Sequence, residues 1–229
     1  EDKSLSAALG GLHIGVSPIE LARAYSALAH GGKYKDYTTI RRIEDPEGIV
    51  VYESHPQGVQ VISEETTFIL NNILQSSISW DIGTATRLKS LGLSLAAKTG
   101  TVQLPNTPEF KGVNGLKDSW ITAYNPDYVA TIWMGFDETS PENYLPPGAV
   151  GGAHPAELAK ALFSYLYPEG AATPFEKPLN VVAVELDLKA LQEKQQALLA
   201  SPLTPNDQIT LEYFVRNNMP KEETDYWVM

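Results

Sequence analysis

Three strand-period segments in a row, set between helix-period segments, are what most limit the folds open to this chain. Residues 94–102, 118–124 and 128–136 are rich in residues suited to extended backbone. In the last of them Val129, Thr131 and Trp133 alternate with Ala130, Ile132 and Met134, so both faces have apolar surface to bury. A loop of Gly, Pro and Asn at about 104–117 joins the first pair, and Asn125-Pro126-Asp127 is a turn between the second pair. Strands joined in this way form an antiparallel meander.

Helices flank the meander. Ser17, Pro18 and Glu20 make an N-cap, a first-turn proline and a capping box for a helix over 17–30. Leu21, Tyr25 and Leu28 form its apolar stripe, and Gly31-Gly32 ends it. A strand over 37–43 follows, then Asp45-Pro46-Glu47-Gly48 as a turn and a return strand over 49–53. Ser63 caps a second helix to about Ile78, with Phe68, Ile69, Ile73 and Leu74 as its apolar face. Gly83-Thr84-Ala85 opens a short helix. Pro155 starts another to about Tyr167, with Leu158, Leu162 and Leu166 at helical spacing. The fold class expected is therefore α/β of the α+β type, an antiparallel sheet flanked by helices. A proline-rich linker at 168–178 divides residues 1–170 from 171–229. In the second part a strand over 181–186 and a helix over 188–200, capped by Asp187, precede a polar, acidic tail in which Tyr213-Phe214 and Tyr226-Trp227 are suited to docking on a neighbour.

Composition excludes several functions. The 229 residues carry 17 basic and 28 acidic side chains, a net charge of −11, and no basic run, so no nucleic-acid partner is expected. There is no cysteine, hence no disulfide, zinc-thiolate site or cysteine nucleophile. His13, His30, His55 and His154 are scattered, and neither a metal nor a cofactor is implied. No apolar run approaches the ~20 residues that span a bilayer. The chain opens on Glu1-Asp2 rather than Met and reads as part of something longer.

The chemistry concentrates in Lys98-Thr99-Gly100-Thr101, on the first strand of the meander. A cation, two hydroxyls and a glycine in four positions suit an anionic ligand with a carbonyl beside it. A phosphate-binding loop is a poor fit, because Ala97 stands where glycine is required and the residues after Lys98 favour strand. Ser17 lacks the second glycine of a hydrolase elbow and is accounted for as a helix cap. Taken alone, the tetrad reads as an edge strand with a solvated lysine.

Its neighbours change that reading. Lys-Thr-Gly is one of three motifs of the active-site-serine penicillin-recognising enzymes, with Ser-x-x-Lys and Ser-x-Asn. Gly10-Gly11-Leu12, the stretch from Gly15 to Ala22, Ala24-Tyr25, Gly31-Gly32, and Ile43-Glu44-Asp45 occur here in order. Gly83-Thr84-Ala85 with Arg87-Leu88, then the tetrad, Asp118-Ser119-Trp120, the stretch from Tyr124 to Asp127, and the stretch from Trp133 to Phe136 follow. Over roughly residues 5–170 the chain resembles the second half of the transpeptidase domain of a class A (bifunctional) penicillin-binding protein.

That resemblance implies acyl transfer on D-Ala-D-Ala peptidoglycan stem peptides, with β-lactams as mimics. By matching position, Lys98 supplies positive potential to the substrate carboxylate, Thr99 and Thr101 hydrogen-bond it, the Thr101 N–H serves an oxyanion hole, and Gly100 leaves room for the acyl group. Gly83 and Thr84 line the cleft or start a helix, and Trp120 borders the site or fills the core. Arg87 and Gln103 carry no assigned role. The resemblance also implies an extracytoplasmic parent, tethered to the membrane by a segment outside this chain.

The chain departs from the family in one respect. Of its 15 serines none has Lys three residues on and none has Asn two residues on. No catalytic residue is therefore assigned within it. The nucleophile is expected on an upstream part of the same protein, and this chain alone is expected to be inactive. The family's sheet has five strands, so the strand at 128–136 is expected to be covered by an upstream piece, another copy, or the strand at 181–186. Two alternatives are a non-catalytic scaffold of the same fold and a β-lactamase or β-lactam-sensor relative.

Overall fold

The computed structural model describes residues 5, 10, 12 and 15–227. It has two compact units, Glu1–Ser63 with Leu70–Phe175, and Glu64–Ile69 with Glu176–Met229. In the Gly10-Gly11-Leu12 match, Gly11 lies outside the described residues.

In the first unit, α1 (Pro18–Ala29) begins where its sequence signals place it. The Ser17 N–H donates to the Glu20 carboxylate at 2.8 Å, and the Ser17 hydroxyl accepts from the Glu20 N–H at 3.4 Å. Its exit uses Gly31 and Gly32, at φ 65° and 84°, which lets the Gly32 N–H return to the Ala27 carbonyl at 2.7 Å. Two short antiparallel pairs follow, β1 (Lys33–Tyr34) with β4 (Val59–Gln60) and β2 (Arg42–Glu44) with β3 (Val50–Glu53). The hairpin turn is held by Asp45, whose Oδ1 accepts from the N–H groups of Glu47 and Ile49. The strand expected from Tyr37 is shorter, because Asp36 bonds the Tyr37 N–H and Thr38 bonds the Ile40 carbonyl. Those local bonds divert the backbone from a ladder.

Helix α2 (Glu64–Ser79) starts and stops close to the expected positions, and its first six residues group with the second unit. Its buried face differs from the expected one. Ile73 is 58% exposed, whereas Thr67 and Asn71 are buried. Asn71 donates to the Leu28 carbonyl at 2.9 Å and accepts from the Tyr124 hydroxyl at 2.7 Å. A polar side chain thus takes a core position because both ends are satisfied.

A 3-10 turn at Thr86–Leu91 leads to the meander of β5 (Ala96–Gln103), β6 (Leu116–Tyr124) and β7 (Val129–Gly135), antiparallel and in that order. Among the described residues no strand pairs with the second edge of β7. On one face Ala97, Ile121 and Ala123 pack with Leu88, Ile78 and the α3 (His154–Leu166) residues Ala156, Ala159 and Phe163. On the other, Ala96 and Tyr124 meet Ala29 of α1. Helix α3 is turned relative to its leucine stripe, since Leu158 and Leu162 are exposed. The small Ala156 and Ala159 let its axis approach the sheet, and fully buried Phe163 contributes roughly 1.5–3 kcal/mol. The β6–β7 turn is tied to α3 by Tyr167, whose hydroxyl donates to Asp127 and accepts from Asn125, both at 2.7 Å.

In the second unit β8 (Val181–Asp187) pairs antiparallel with β9 (Ile209–Val215). This corrects two expectations. The tail holds a strand, and β8 takes β9 as its partner in a two-stranded sheet, which removes one of the three covers expected for β7. Helix α4 (Leu188–Lys194) is shorter than the 188–200 expected, because Gln195 turns to φ 55°. Asp187 caps it as expected, accepting from the Lys189 and Ala190 N–H groups and, at 2.7 Å, from Trp227 Nε1. Tyr213 meets Phe68 edge-on, with centroids 5.2 Å apart.

Candidate functional site

Strand β5 enters the sheet buried and leaves it open. Ala96 and Ala97 have no exposed surface, Thr99 and Gly100 are half-buried, and Lys98 and Thr101 are exposed. The strand alternation puts Thr99 and Thr101 on the face of Ala97, and Lys98 and Gly100 on the other. In register, Lys98 lies opposite Thr122, Thr99 opposite Ile121, Gly100 opposite Trp120 and Thr101 opposite Ser119.

The backbone of β5 shows which groups face outward. Ser77 Oγ donates to the Ala97 carbonyl at 2.7 Å, and Lys98 Nζ donates to the Thr99 carbonyl. In an antiparallel ladder a residue's N–H and C=O point the same way, alternately toward and away from the neighbour. Residues 97, 99 and 101 accordingly turn their backbone groups to the open edge. The Thr101 N–H belongs to that outward set.

Two loops back the tetrad. Thr99 Oγ1 donates to Thr84 Oγ1 at 2.7 Å, and the Gly151 N–H donates to Thr101 Oγ1 at 3.3 Å. Both glycines of 151–152 are at close approaches. A Cβ on Gly151 would lie 2.2 Å from the Trp120 carbonyl oxygen and 2.8 Å from that of Gly100, and one on Gly152 would lie 2.2 Å from the Thr84 carbonyl oxygen. Arg87 ties the two loops together, with Nε donating to the Gly152 carbonyl at 2.9 Å and Nη1 paired with Glu157. Among the described residues no carboxylate lies within ion-pair distance of Lys98.

The two hydroxyls are therefore not equivalent. Thr99 spends its proton on Thr84. Thr101 accepts from Gly151, so its own O–H remains available to donate. A cation, a free hydroxyl donor and an outward N–H within four residues suit a carboxylate next to a polarised carbonyl. Among the described residues no group of three or more His, Asp or Glu is placed to hold a metal ion.

A family model for the penicillin binding protein transpeptidase domain matches residues 1–163. The chain belongs to that family. It is 34% identical over 194 residues to penicillin-binding protein 1F of Bacillus subtilis, covering 83% of this chain and 25% of the relative. Identity to penicillin-binding protein 1A/1B of the same organism is 31% over 212 residues, covering 90% and 22%. The chain thus spans a quarter or less of the length of these transpeptidase-family relatives. Its fold is similar to that of penicillin-binding protein 1A from Haemophilus influenzae, at a TM-score of 0.70 and 22% identity, over 96% of this chain and 35% of the other.

The structure brings all four tetrad residues to the open edge and adds partners that sequence reasoning missed. Gly151 and Gly152 lie about 50 residues from the tetrad, so spacing gave no signal beyond a Gly-Gly before a helix start. Thr84 touches Thr99, while Gly83 is explained by packing, with the Ser77 carbonyl oxygen 2.2 Å from where its Cβ would be. Trp120 stands directly across from Gly100, half-buried, with its ring 6.1 Å from that of Trp133. Gln103 sits exposed at a register shift in β5, away from these contacts.

Proposed function

We propose that this chain forms the Lys-Thr-Gly wall of a serine-type peptidoglycan D,D-transpeptidase, and that the nucleophilic serine comes from outside it. Residues 1–170 form the C-terminal portion of the transpeptidase domain, with 171–229 appended. In the reaction a serine oxygen attacks the penultimate D-alanine carbonyl of a stem peptide. The C–N bond breaks, the terminal D-alanine leaves with a proton, and an acyl-enzyme ester remains. An amine of a neighbouring stem then attacks the ester and restores the serine.

This chain's residues act on charge. Lys98 and the Thr101 hydroxyl hold the terminal carboxylate, and the Thr101 N–H stabilises the oxyanion, an interaction whose loss costs about 2.7–4 kcal/mol. Thr99 acts mainly by holding the strand against Thr84. β-Lactams occupy the same wall. An outward-facing, membrane-tethered parent is part of this proposal; among the described residues no helix is long and apolar enough to cross a membrane.

The observation that carries this reading is the tetrad on the edge strand β5, with Lys98 and Thr101 exposed, in a chain of the transpeptidase family. Labelled penicillin tests it. The full-length gene product is expected to take up one label, and this chain by itself none. Uptake by this chain would overturn the assignment of the nucleophile elsewhere, and failure of the full-length product would favour a non-catalytic scaffold.

A further inference from the structure

The Arg87 guanidinium bridges the loops behind the tetrad. It bonds the Gly152 carbonyl at 2.9 Å and pairs with Glu157 in the first turn of α3. Gly151, one residue before, donates to the Thr101 hydroxyl oxygen, and its α-carbon lies against the backbones of Gly100 and Trp120. The chain of contacts thus runs from Arg87 through the 151–152 main chain to Thr101. The neighbouring residues anchor it, because Ala85 and Ala156 have no exposed surface and Leu88 has almost none. Arg87 itself is about half exposed, so burial of its stem does not account for two convergent bonds to residues 65 and 70 positions away.

We infer that Arg87 is a positioning residue for Thr101. It holds the 151–152 main chain so that the Gly151 N–H occupies the acceptor side of the Thr101 hydroxyl and turns the O–H outward. This rests on the proposed role of Thr101 toward a carboxylate. Without Arg87 the glycine segment relaxes and the hydroxyl rotates freely, so the site loses its preference for a carboxylate while keeping its oxyanion N–H.

Arg87→Met keeps the apolar stem and removes the donors. In this chain the Gly151 amide is expected to exchange with solvent at least ~10-fold faster in Arg87→Met, with the core amides of β6 unchanged. Unchanged exchange at Gly151, or an equal rise across β6, overturns the inference. In the full-length gene product, acylation by a penicillin is compared with acylation by its methyl ester. Arg87→Met is expected to lower the acid-to-ester ratio about 10-fold, and Thr101→Val to lower it at least as far. If Thr101→Val lowers the ratio and Arg87→Met does not, Arg87 has no positioning role and the carboxylate reading stands. If Thr101→Val leaves it unchanged, the carboxylate reading itself fails, and the exchange measurement still decides whether Arg87 holds Gly151.

Discussion

Gly151 is the position where one methyl group tests the architecture behind the tetrad. A Cβ there would lie 2.2 Å from the Trp120 carbonyl oxygen, 2.8 Å from the Gly100 carbonyl oxygen and 3.1 Å from the Gly100 nitrogen. All three are backbone atoms of the β5–β6 pair, so no side chain can rotate to make room. The 151–152 segment must retreat, and the bond from the Gly151 N–H to Thr101 Oγ1, 3.3 Å long, breaks with it. Overpacking of this kind costs about 1–3 kcal/mol, and the lost hydrogen bond about 0.5–1.5 kcal/mol. For a chain of this size each kcal/mol shifts Tm by roughly 2–4 °C, so Gly151→Ala is expected to melt about 3–18 °C lower. Circular dichroism melting of Gly151→Ala beside Thr101→Val measures it. Thr101→Val removes the hydroxyl without the clash, and is expected to lose no more than about a third of that. A Gly151→Ala Tm within 1 °C of the parent would refute the close approach on which the site description depends.

Three other outcomes follow from particular contacts. Tyr124→Phe leaves the buried Asn71 carbonyl oxygen without its donor and is expected to cost about 1–3 kcal/mol in urea unfolding, with an unchanged m-value. Burial, then the nearby Asp127 carboxylate that its hydroxyl bonds, push the Tyr167 phenol up to about 12. A raised native value means stability is whole below about pH 10 and drains away as pH rises toward 12, and Tyr167→Phe should flatten that fall in alkaline melting curves. Asp187 is held below the usual carboxylate range, since burial, which pushes it up, is outweighed by bonds from Thr224, Ala190, Trp227 and Lys189. Its contribution is present above about pH 4 and lost below, so acid should release Trp227, read as a fluorescence change that Asp187→Ala shows already at neutral pH.

The meander and the capped helices were legible because their determinants are local. Ser17, Pro18 and Glu20 announce α1, and alternation with a short turn announces β6 and β7. Which face a helix buries was less legible. Ile73 and Leu158 are apolar yet exposed, while Asn71 is polar yet buried, because the partners that decide these positions, Tyr124 and the sheet face, are distant in sequence. Strand β9 was hidden in a polar tail because its signal comes from pairing with β8 across more than 20 residues. At the site, the tetrad stood out by its residue types. The loops that orient it did not, since a glycine at a close approach looks in sequence like any glycine in a loop.

Recognition of a carboxylate beside the acylated carbonyl is the property proposed for the β5 edge. Its most direct test is the acylation rate of the full-length gene product by a penicillin and by its methyl ester, with Lys98→Ala and Thr101→Val. Each variant removes a charge-assisted contact of about 1.5–3 kcal/mol, so the rate with the acid is expected to fall roughly 10- to 150-fold while the ester rate changes little. Equal losses for acid and ester would contradict the claim.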